Sequence, residues 1–359
     1  MSRIRFGVVG AGWRAEFFLR IAAAAPELFA PAVVVARDPK KARRFAAQWQ
    51  CCVVGTVEQM CTDQDFDFVV TSVSWEANPG VIQDLVRRGI PVLSETPPAP
   101  DLAAMIDLWQ FVQQQDGRVC VAEQYFLQPY FAAARRVVEL GRIGTVSQAQ
   151  VSAAHGYHGM SLIRKLLGIG FENATISSRS FTAPLVDGPG RTGPPAAETV
   201  ADCTQTFSWL NFDGKLGLVD FCGAQYFSWV RNNRVLVRGE RGEIVNDKVA
   251  YLKNHQTPIY LDMLRHHTGG PGNLEGNSLT GIQLGQEMVY INPLSPAALA
   301  DDEIAIGDLM LRMAQYAQGG EAPYLLAEAC QDHYLGLMCD QALESGDPVR
   351  TEKQPWSVA

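Results

Sequence analysis

The chain of 359 residues (39.3 kDa) is long enough for two domains with separate hydrophobic cores. Hydrophobic residues make up 47% and charged residues 19% of it, which excludes a disordered chain. A net charge of −8 argues against a nucleic-acid partner or an anionic membrane, because either would need a basic surface.

The sequence carries no pattern typical of secretion or of a membrane span. The N-terminus runs directly into a strand pattern and lacks the apolar stretch of a signal peptide. No window approaches the roughly 18 uninterrupted apolar residues of a membrane span. The eight cysteines include no C-x-x-C pair and mostly lie in apolar runs, so we expect buried free thiols and a cytoplasmic location.

Residues 1–122 alternate short β-rich runs with helical stretches. Near-continuous apolar strands alternating with amphipathic helices are typical of a parallel sheet covered on both faces. We therefore predict an α/β domain over residues 1–122. The predicted strands are Ile4–Val9, Ala32–Ala36, Cys52–Val54, Phe66–Val73, Pro91–Leu93 and Val119–Ala122.

The pattern changes after a predicted helix at Tyr130–Leu140. From Thr145 onward apolar residues recur with a period of two, and turns such as Asp213-Gly214 separate the runs. This pattern predicts a large, mainly antiparallel and open sheet in an α+β domain over residues 123–359. Two loops are predicted to interrupt the sheet and two helices to follow it: Ala183–Pro195 and His266–Gly285, then Asp301–Ala317 and Ala327–Glu344.

A glycine-rich turn follows the first predicted strand and opens the first helix. Gly10 permits the tight turn, Gly12 lets the backbone approach a pyrophosphate, and Ala15 is small enough for helix–strand packing. The pyrophosphate would lie on the helix N-terminus, beside Trp13 and Arg14. In this context the turn predicts a Rossmann domain that binds a dinucleotide; the alternative is a glycine turn that only packs.

The end of the second strand bears on the choice between NAD and NADP. An NAD-binding domain usually places an acidic residue about 20 residues past the glycines, where it binds the ribose hydroxyls. Here Ala36 and Arg37 occupy that place, and an arginine can pair with the 2′-phosphate of NADP. We therefore favour NADP over NAD; the alternative is that Arg37 is a solvated surface residue. Asp38 is predicted to cap the next helix, ahead of Pro39.

Five segments follow one another along the chain in a specific order. They are GVVGAG, FDFVVTSVSWEANPGVIQDLVRRGIPVLSETPPA, VAEQYFLQPYFAAARRVVELGRIGTVSQAQ, HGYHGMSLIRKLLG and AEACQDHYLGLMCDQALESGDPV. In this order and spacing they resemble the Gfo/Idh/MocA family, which takes its name from glucose–fructose oxidoreductase and inositol dehydrogenase. The resemblance implies hydride transfer between a nicotinamide and a sugar, polyol or related alcohol. It also implies a homodimer or homotetramer packed through the open face of the C-terminal sheet.

The resemblance implies cofactor-binding roles for residues beyond the glycine turn. Glu95 and Pro97 match the family's Glu-Lys-Pro motif, but Thr96 stands in place of its lysine. Gln124 falls where the family usually has an asparagine near the nicotinamide. The candidate cofactor-binding residues are Gly10, Gly12, Trp13, Arg14, Arg37, Ser72, Ser74, Asn78, Glu95, Thr96 and Gln124.

The catalytic residues implied by the resemblance are only partly present. His158 matches the family's catalytic histidine, but Ala154 replaces its aspartate four residues earlier. Thr96 can exchange hydrogen bonds but cannot hold a charge, whereas imidazole titrates near neutral pH. We therefore predict His158 as the acid/base, with Tyr157 or Tyr125 polarising the substrate oxygen and the Thr96 hydroxyl orienting the substrate.

Two histidines lie three residues apart, so His155 and His158 share a face if the segment is helical. His155 is a candidate substrate-binding residue, and a hydrogen-bonded histidine beneath the site is the alternative. The pair could also be half of a metal site, but no third ligand is evident, and we predict no metal. Two further segments are open: Arg265-His266-His267 as cleft, subunit contact or solvated loop, and Tyr226, Phe227 and Trp229 as sheet core or interface rather than a sugar platform.

Two classes of function follow from these residues. The first is an NAD(P)-dependent oxidoreductase acting on a carbohydrate-like alcohol, in which transient oxidation with elimination or epimerisation is a variant. The second is a non-catalytic dinucleotide-binding sensor, or the partner subunit of an active homologue. Loss of the lysine and the aspartate favours the second class, whereas His158 and Glu95 favour the first.

Overall fold

The computed structural model describes residues 3–62, 65–269 and 277–358. Its helices are α1 (Trp13–Ala24), α2 (Pro39–Trp49), α3 (Val57–Thr62), α4 (Asn78–Arg87), α5 (Leu102–Gln114), α6 (Pro129–Glu139), α7 (Gly156–Leu167), α8 (Asp301–Ala317) and α9 (Leu326–Ser345). Its strands are β1 (Ile4–Val9), β2 (Phe29–Val35), β3 (Val53–Val54), β4 (Phe68–Thr71), β5 (Val92–Ser94), β6 (Val119–Val121), β7 (Val146–Ser152), β8 (Thr175–Val186), β9 (Val200–Asn211), β10 (Leu216–Phe221), β11 (Arg234–Gly239), β12 (Gly242–Val245), β13 (Lys248–Asn254), β14 (Thr257–His267), β15 (Leu279–Leu284), β16 (Glu287–Ile291) and β17 (Val349–Arg350).

The first sheet has six parallel strands in the order β3-β2-β1-β4-β5-β6. Val8 of β1 lies between Val34 of β2 and Val70 of β4, and all three side chains are buried. Apolar residues on both faces are expected where helices cover both sides of a parallel sheet. The strand order reverses at β1, which is where Rossmann domains bind dinucleotides, and the predicted α/β fold is confirmed.

The second sheet has eleven strands in the order β16-β15-β14-β13-β12-β11-β7-β10-β9-β8-β17. Only β7 and β10 pair in parallel among its described strands, so the prediction of a mainly antiparallel sheet is confirmed. Helices α6, α7 and α9 pack on one face. On β9 the buried Ser208 and Leu210 alternate with the exposed Phe207 and Trp209, because successive side chains point to opposite faces.

The limits of several C-terminal elements differ from the prediction. Strand β10 ends at Phe221, and a short 3₁₀ helix at Gly223–Tyr226 turns the chain away where a continuous strand was expected. The predicted loop at Ala183–Pro195 is shorter, because residues up to Val186 pair with β9. The predicted loop at His266–Gly285 begins and ends in paired strand residues, and its residues 270–276 lie outside the described part of the chain.

Helix α8 connects the two domains. It follows the second sheet but packs against α1 and near β4 of the first domain. This return places the first turn of α8 beside the glycine turn. Among the described residues, no helix is both long and apolar enough to cross a membrane.

Candidate active site

The glycine turn between β1 and α1 borders an open groove. Gly10 has a φ of +127°, and a Cβ there would lie 2.0 Å from the carbonyl oxygen of Ser72, so only glycine fits. A Cβ on Gly12 would meet no protein atom within 4 Å. Gly12 is also the N-cap of α1, whose first N–H groups have no partner within the helix. The turn therefore offers backbone donors and free space to an anion, as a pyrophosphate needs.

The groove has a volume of about 700 Å³ and runs along the carboxyl ends of β1, β2 and β4. Of the predicted cofactor-binding residues, those that line it are Gly10, Gly12, Trp13, Arg14, Arg37, Ser72 and Ser74. Its size and lining suit a dinucleotide, with the pyrophosphate at the glycine turn and one nucleoside toward β2.

The β2 end of the groove is bordered by charged side chains. Arg37 and Lys41 contribute positive charge there, and Asp38 contributes one carboxylate. Asp38 accepts a hydrogen bond of 2.8 Å from the backbone N–H of Lys40, and Pro39 occupies the first turn of α2. The predicted cap is therefore confirmed, and the helix engages one oxygen of Asp38, the only carboxylate that lines this end among the described residues.

Asn78 lies below the groove and does not line it. Its buried side-chain amide donates to Ser94 Oγ at 2.8 Å and to the carbonyl oxygen of Pro98 at 3.2 Å. Ser94 Oγ in turn donates to the carbonyl oxygen of Glu95 at 2.8 Å. These bonds give Asn78 a supporting position, because they hold the segment that presents Glu95 and Thr96.

A second cavity of about 890 Å³ adjoins the groove. The two share Trp13, Arg14, Ser72 and Val73. The predicted site residues that line the second cavity, here called the cleft, are Glu95, Thr96, Gln124, Tyr125, His155, Tyr157 and His158. Residues from both domains therefore meet at the point where the nicotinamide end of a dinucleotide would emerge.

An ionic network forms the floor between groove and cleft. Arg14 Nε lies 2.9 Å from Glu95 Oε1, and Arg14 Nη1 lies 3.0 Å from Asp302 Oδ2. Asp302 also accepts from Gln124 at 2.9 Å and from Gln128 at 3.2 Å. Burial lowers the pKa of Arg14, but the two carboxylates raise it further, so the guanidinium stays charged. Arg14 is thus held by a residue of each domain.

The cleft contains a buried carboxyl–imidazole pair that the sequence did not predict. Nδ1 of His158 lies 2.6 Å from Oε2 of Glu123, and the other oxygen of Glu123 accepts the backbone N–H of Tyr125 at 3.1 Å. Burial raises the pKa of Glu123 and lowers that of His158, because a low-dielectric environment disfavours both charged forms. With Nδ1 engaged, Nε2 is the imidazole nitrogen available to a ligand in the cleft.

Aromatic rings surround this pair. The rings of Tyr125 and Tyr157 lie 4.5 Å and 4.4 Å from that of His158, measured between centroids. Tyr157 and Thr96 both line the cleft, and burial raises the pKa of Tyr157. The phenol therefore stays protonated near neutral pH and can donate to a substrate oxygen, as can the threonine hydroxyl.

His155 is the N-cap of α7 and is exposed toward the cleft. Its ring lies 5.2 Å from that of His158, and its backbone N–H donates to the Tyr226 hydroxyl at 3.3 Å. Within residues 3–62, 65–269 and 277–358, no group of three or more His, Cys, Asp or Glu side chains is placed to hold a metal ion.

The structure places two segments whose location the sequence did not decide, residues 226–229 and 265–267. Tyr226 and Phe227 line the cleft, and Trp229 is exposed, so the expectation of a place in the sheet core is wrong for all three, because the 3₁₀ helix turns the chain out of β10. The alternative of an interface stays a prediction. Arg265 pairs with Asp301 at 2.6 Å and His266 with Gln283 at 2.7 Å, on paired strand β14 rather than in a loop or the cleft.

Sequence reasoning missed Glu123, which contacts His158, and seven residues that line the cleft, namely Phe17, Arg20, Val73, Trp75, Gln128, Arg191 and Asp302. Glu123 directly precedes the predicted Gln124, and a carboxylate at the end of β6 was a signal that went unused. Trp75 likewise directly follows the predicted Ser74, whereas Arg191 and Asp302 come from segments whose approach to the site depends on the tertiary fold.

Comparisons with known proteins agree with this architecture. Residues 4–123 match the model of the Gfo/Idh/MocA family, described as an oxidoreductase family with an NAD-binding Rossmann fold. No curated protein sequence matches the chain. Among solved structures, levoglucosan dehydrogenase in its apo form is similar with a TM-score of 0.72 and 16% identity, over 99% of this chain and 100% of that one.

Two further solved structures have the same fold at similar identity. An oxidoreductase from Agrobacterium radiobacter, in complex with NAD⁺, L-tartaric acid and magnesium, gives a TM-score of 0.70 and 15% identity, over 97% of this chain and 98% of that one. A myo-inositol dehydrogenase from Corynebacterium glutamicum gives a TM-score of 0.65 and 16% identity, over 98% of this chain and 100% of that one. The N-terminal domain therefore matches the Gfo/Idh/MocA family of oxidoreductases, and the chain as a whole has the two-domain fold of these structures.

Proposed function

We propose that the protein is a nicotinamide-dependent oxidoreductase that acts on a hydroxyl group of a sugar, polyol or glycoside-like alcohol. The observation that carries the proposal is the buried His158–Glu123 pair in a cleft that adjoins the dinucleotide groove. A sensor needs no acid/base group at this junction, whereas alcohol oxidation does.

The His158–Glu123 pair supplies a proton acceptor, which the Thr96 hydroxyl cannot provide. Oxidation breaks the O–H and C–H bonds of the alcohol, and a bound nicotinamide would accept the hydride. The proton goes to Nε2 of His158, while the carboxylate of Glu123 holds the proton on Nδ1 and stabilises the imidazolium. Thr96 and Tyr157 orient the alcohol oxygen by hydrogen bonds.

We propose NADP as the preferred cofactor. Arg37 and Lys41 border the β2 end of the groove, where the 2′-phosphate of NADP would lie. The family model describes NAD binding, and one similar structure holds NAD⁺, which supports a nicotinamide dinucleotide in the groove; the preference for NADP rests on Arg37 and Lys41.

The substrate class follows from the wall of the cleft. Trp75, Tyr226 and Phe227 offer flat apolar surfaces, and Gln124, Tyr157 and His155 offer polar groups. Sugar rings and polyols present both C–H faces and hydroxyls, so such a mixed wall suits them. Levoglucosan dehydrogenase and myo-inositol dehydrogenase, which share the fold, support this class.

We also propose a homodimer or homotetramer formed through the open face of the second sheet. Large side chains are exposed there, among them Phe207, Trp209, Tyr260 and Leu264. An exposed apolar patch on a sheet that carries helices on its other face favours burial against a second copy.

The test is a screen of purified protein with NAD and NADP against neutral and acidic sugars, polyols and glycosides. Formation of reduced nicotinamide, followed by absorbance, is the expected result. A product of unchanged oxidation state would indicate transient oxidation. Tight dinucleotide binding without conversion of any compound, equal in wild type and His158→Ala, would instead indicate the non-catalytic protein.

A further inference from the structure

We infer that the substrate carries an anionic group, a carboxylate or a phosphate, and that Arg191 binds it. This inference rests on the proposed function and specifies its substrate. Arg191 comes from the segment between β8 and β9 and lines the cleft but not the dinucleotide groove.

Arg191 is placed by a tight turn and an aromatic surface. Gly190 and Gly193 exchange two backbone hydrogen bonds of 2.9 and 3.1 Å, so Arg191 lies at the tip of the turn. Its guanidinium carbon lies 3.5 Å from the centroid of the Trp13 ring and 5.9 Å from that of Phe227. Stacking on an indole limits the motion of the guanidinium and leaves its edge N–H donors free.

The other arginines of the cleft are neutralised by carboxylates. Arg14 pairs with Glu95 and Asp302, and Arg20 pairs with Glu303 at 2.7 Å. Arg191 forms no ion pair with any acidic residue in the described part of the chain. Arg14 is matched by two carboxylates and Arg20 by one, so Arg191 is the cleft arginine whose guanidinium has no carboxylate partner among the described residues. A guanidinium can bind a carboxylate or a phosphate through two parallel hydrogen bonds.

The dinucleotide itself is the less favoured anion for Arg191. The pyrophosphate belongs at the glycine turn, which borders the groove, whereas Arg191 lies on the cleft side of Trp13. The anion bound by Arg191 is therefore part of the substrate, in the cavity that His155 and Phe227 also line.

The experiment compares matched acidic and neutral compounds on the protein saturated with dinucleotide. Calorimetry and initial rates are measured for D-gluconate against D-glucitol, D-glucuronate against D-glucose, and D-glucitol 6-phosphate against D-glucitol. We expect at least one acid or phosphate to bind about tenfold or more tightly than its neutral counterpart. The comparison of D-glucitol 6-phosphate with D-glucitol shows whether the preferred anion is a phosphate or the carboxylate of a sugar acid.

Variants assign the preference to the residue. Arg191→Gln should remove the preference for the anionic compound and leave dinucleotide affinity within about twofold, and Arg191→Lys should keep part of the preference. Arg136→Ala, at an exposed position on α6, is the control and should change neither the preference for the anionic compound nor the dinucleotide affinity. Equal or better binding of the neutral compounds by the wild type would overturn the inference, as would a loss of dinucleotide affinity in Arg191→Gln. Turnover of neutral alcohols alone would reject this inference while retaining the proposed function.

Discussion

Nδ1 of His158 lies 2.6 Å from Oε2 of Glu123, and both side chains are buried. This pair stands 35 residues apart in sequence and joins the end of the parallel sheet to the first turn of α7. It provides a proton-accepting system in a cleft that lacks the lysine expected from the Glu-Lys-Pro motif. The imidazole is oriented by the carboxyl group, as in other carboxyl–histidine pairs.

The first prediction concerns the pH dependence of this pair. Burial raises the pKa of Glu123 to about 8. Below the apparent pKa of the pair the carboxyl group donates to Nδ1 and Nε2 carries a proton; above it Nδ1 donates to the carboxylate and Nε2 is free to accept. Alcohol oxidation (kcat/KM) should therefore increase with pH to a plateau above about 8, and carbonyl reduction should decrease over the same range.

Glu123→Gln tests the assignment of that titration. The amide preserves the hydrogen bond but cannot ionise, so the step near pH 8 should disappear and oxidation should slow by roughly 100-fold. Dinucleotide affinity, measured by calorimetry, should be unchanged. A pH profile for Glu123→Gln that superimposes on the wild-type profile would show that another group titrates.

The second prediction compares the two candidate catalytic side chains. His158→Ala should lower kcat by roughly 10²- to 10⁴-fold, because the proton acceptor is lost, with dinucleotide affinity unchanged. Thr96→Ala should be milder, since its hydroxyl orients the substrate without taking up charge. A tolerated His158→Ala beside an inactive Thr96→Ala would contradict our assignment of the base.

The third prediction concerns the glycine turn. Gly12→Asp should abolish binding of both NAD and NADP, because the carboxylate would occupy the groove where the pyrophosphate approaches the backbone. Gly80→Asp is the matched control, since a Cβ at that position on α4 also meets no atom within 4 Å and Gly80 does not line the groove. Calorimetric titration checks both variants, and unchanged binding in Gly12→Asp would reject this turn as the dinucleotide site.

The fourth prediction concerns cofactor preference. Arg37→Ala should weaken NADP binding by about 1–3 kcal/mol, the cost of a lost charged hydrogen bond, and leave NAD nearly unaffected. Arg43→Ala, on the exposed surface of α2 outside the groove, should affect neither. An equal change for both cofactors in Arg37→Ala would count against the preference for NADP.

The fifth prediction concerns the open face of the second sheet. Trp209 is 50% exposed and Tyr260 76% exposed, on strands β9 and β14. An aspartate at either position should shift the protein to monomers in light scattering after gel filtration, because a buried charge in an apolar interface is costly. Gln110→Asp, at an exposed position on α5 in the first domain, is the control. A wild-type protein that is monomeric at all concentrations would rule out this interface.

Local sequence patterns were sufficient for the fold and for the dinucleotide groove. Gly10 and Gly12 lie within one strand–turn–helix unit, so a dinucleotide-binding turn can be predicted from consecutive residues. The six strands of the first domain were predicted because each is a short apolar run. The 3₁₀ helix at Gly223–Tyr226 was not, because QYF continues the period-two pattern of the preceding strand.

The cleft could be predicted only in part, because its residues come from distant segments. Asp302 bonds to Arg14 across 288 positions and to Gln124 across 178, and no sequence pattern relates these three. Arg191 stands in a loop rich in proline and glycine, where a charged residue usually faces solvent. Its position depends on how the second sheet is placed against α1.

Asp302 also has a consequence for the order in which the protein matures during synthesis. The glycine turn and the sheet around it are complete within the first 123 residues, whereas Asp302 lies near the chain's end on α8. A nascent chain can therefore fold its dinucleotide groove well before Asp302, the second carboxylate partner of Arg14, leaves the ribosome. Capture of the cofactor can precede completion of the cleft, so cofactor supply during translation should influence the yield of mature protein.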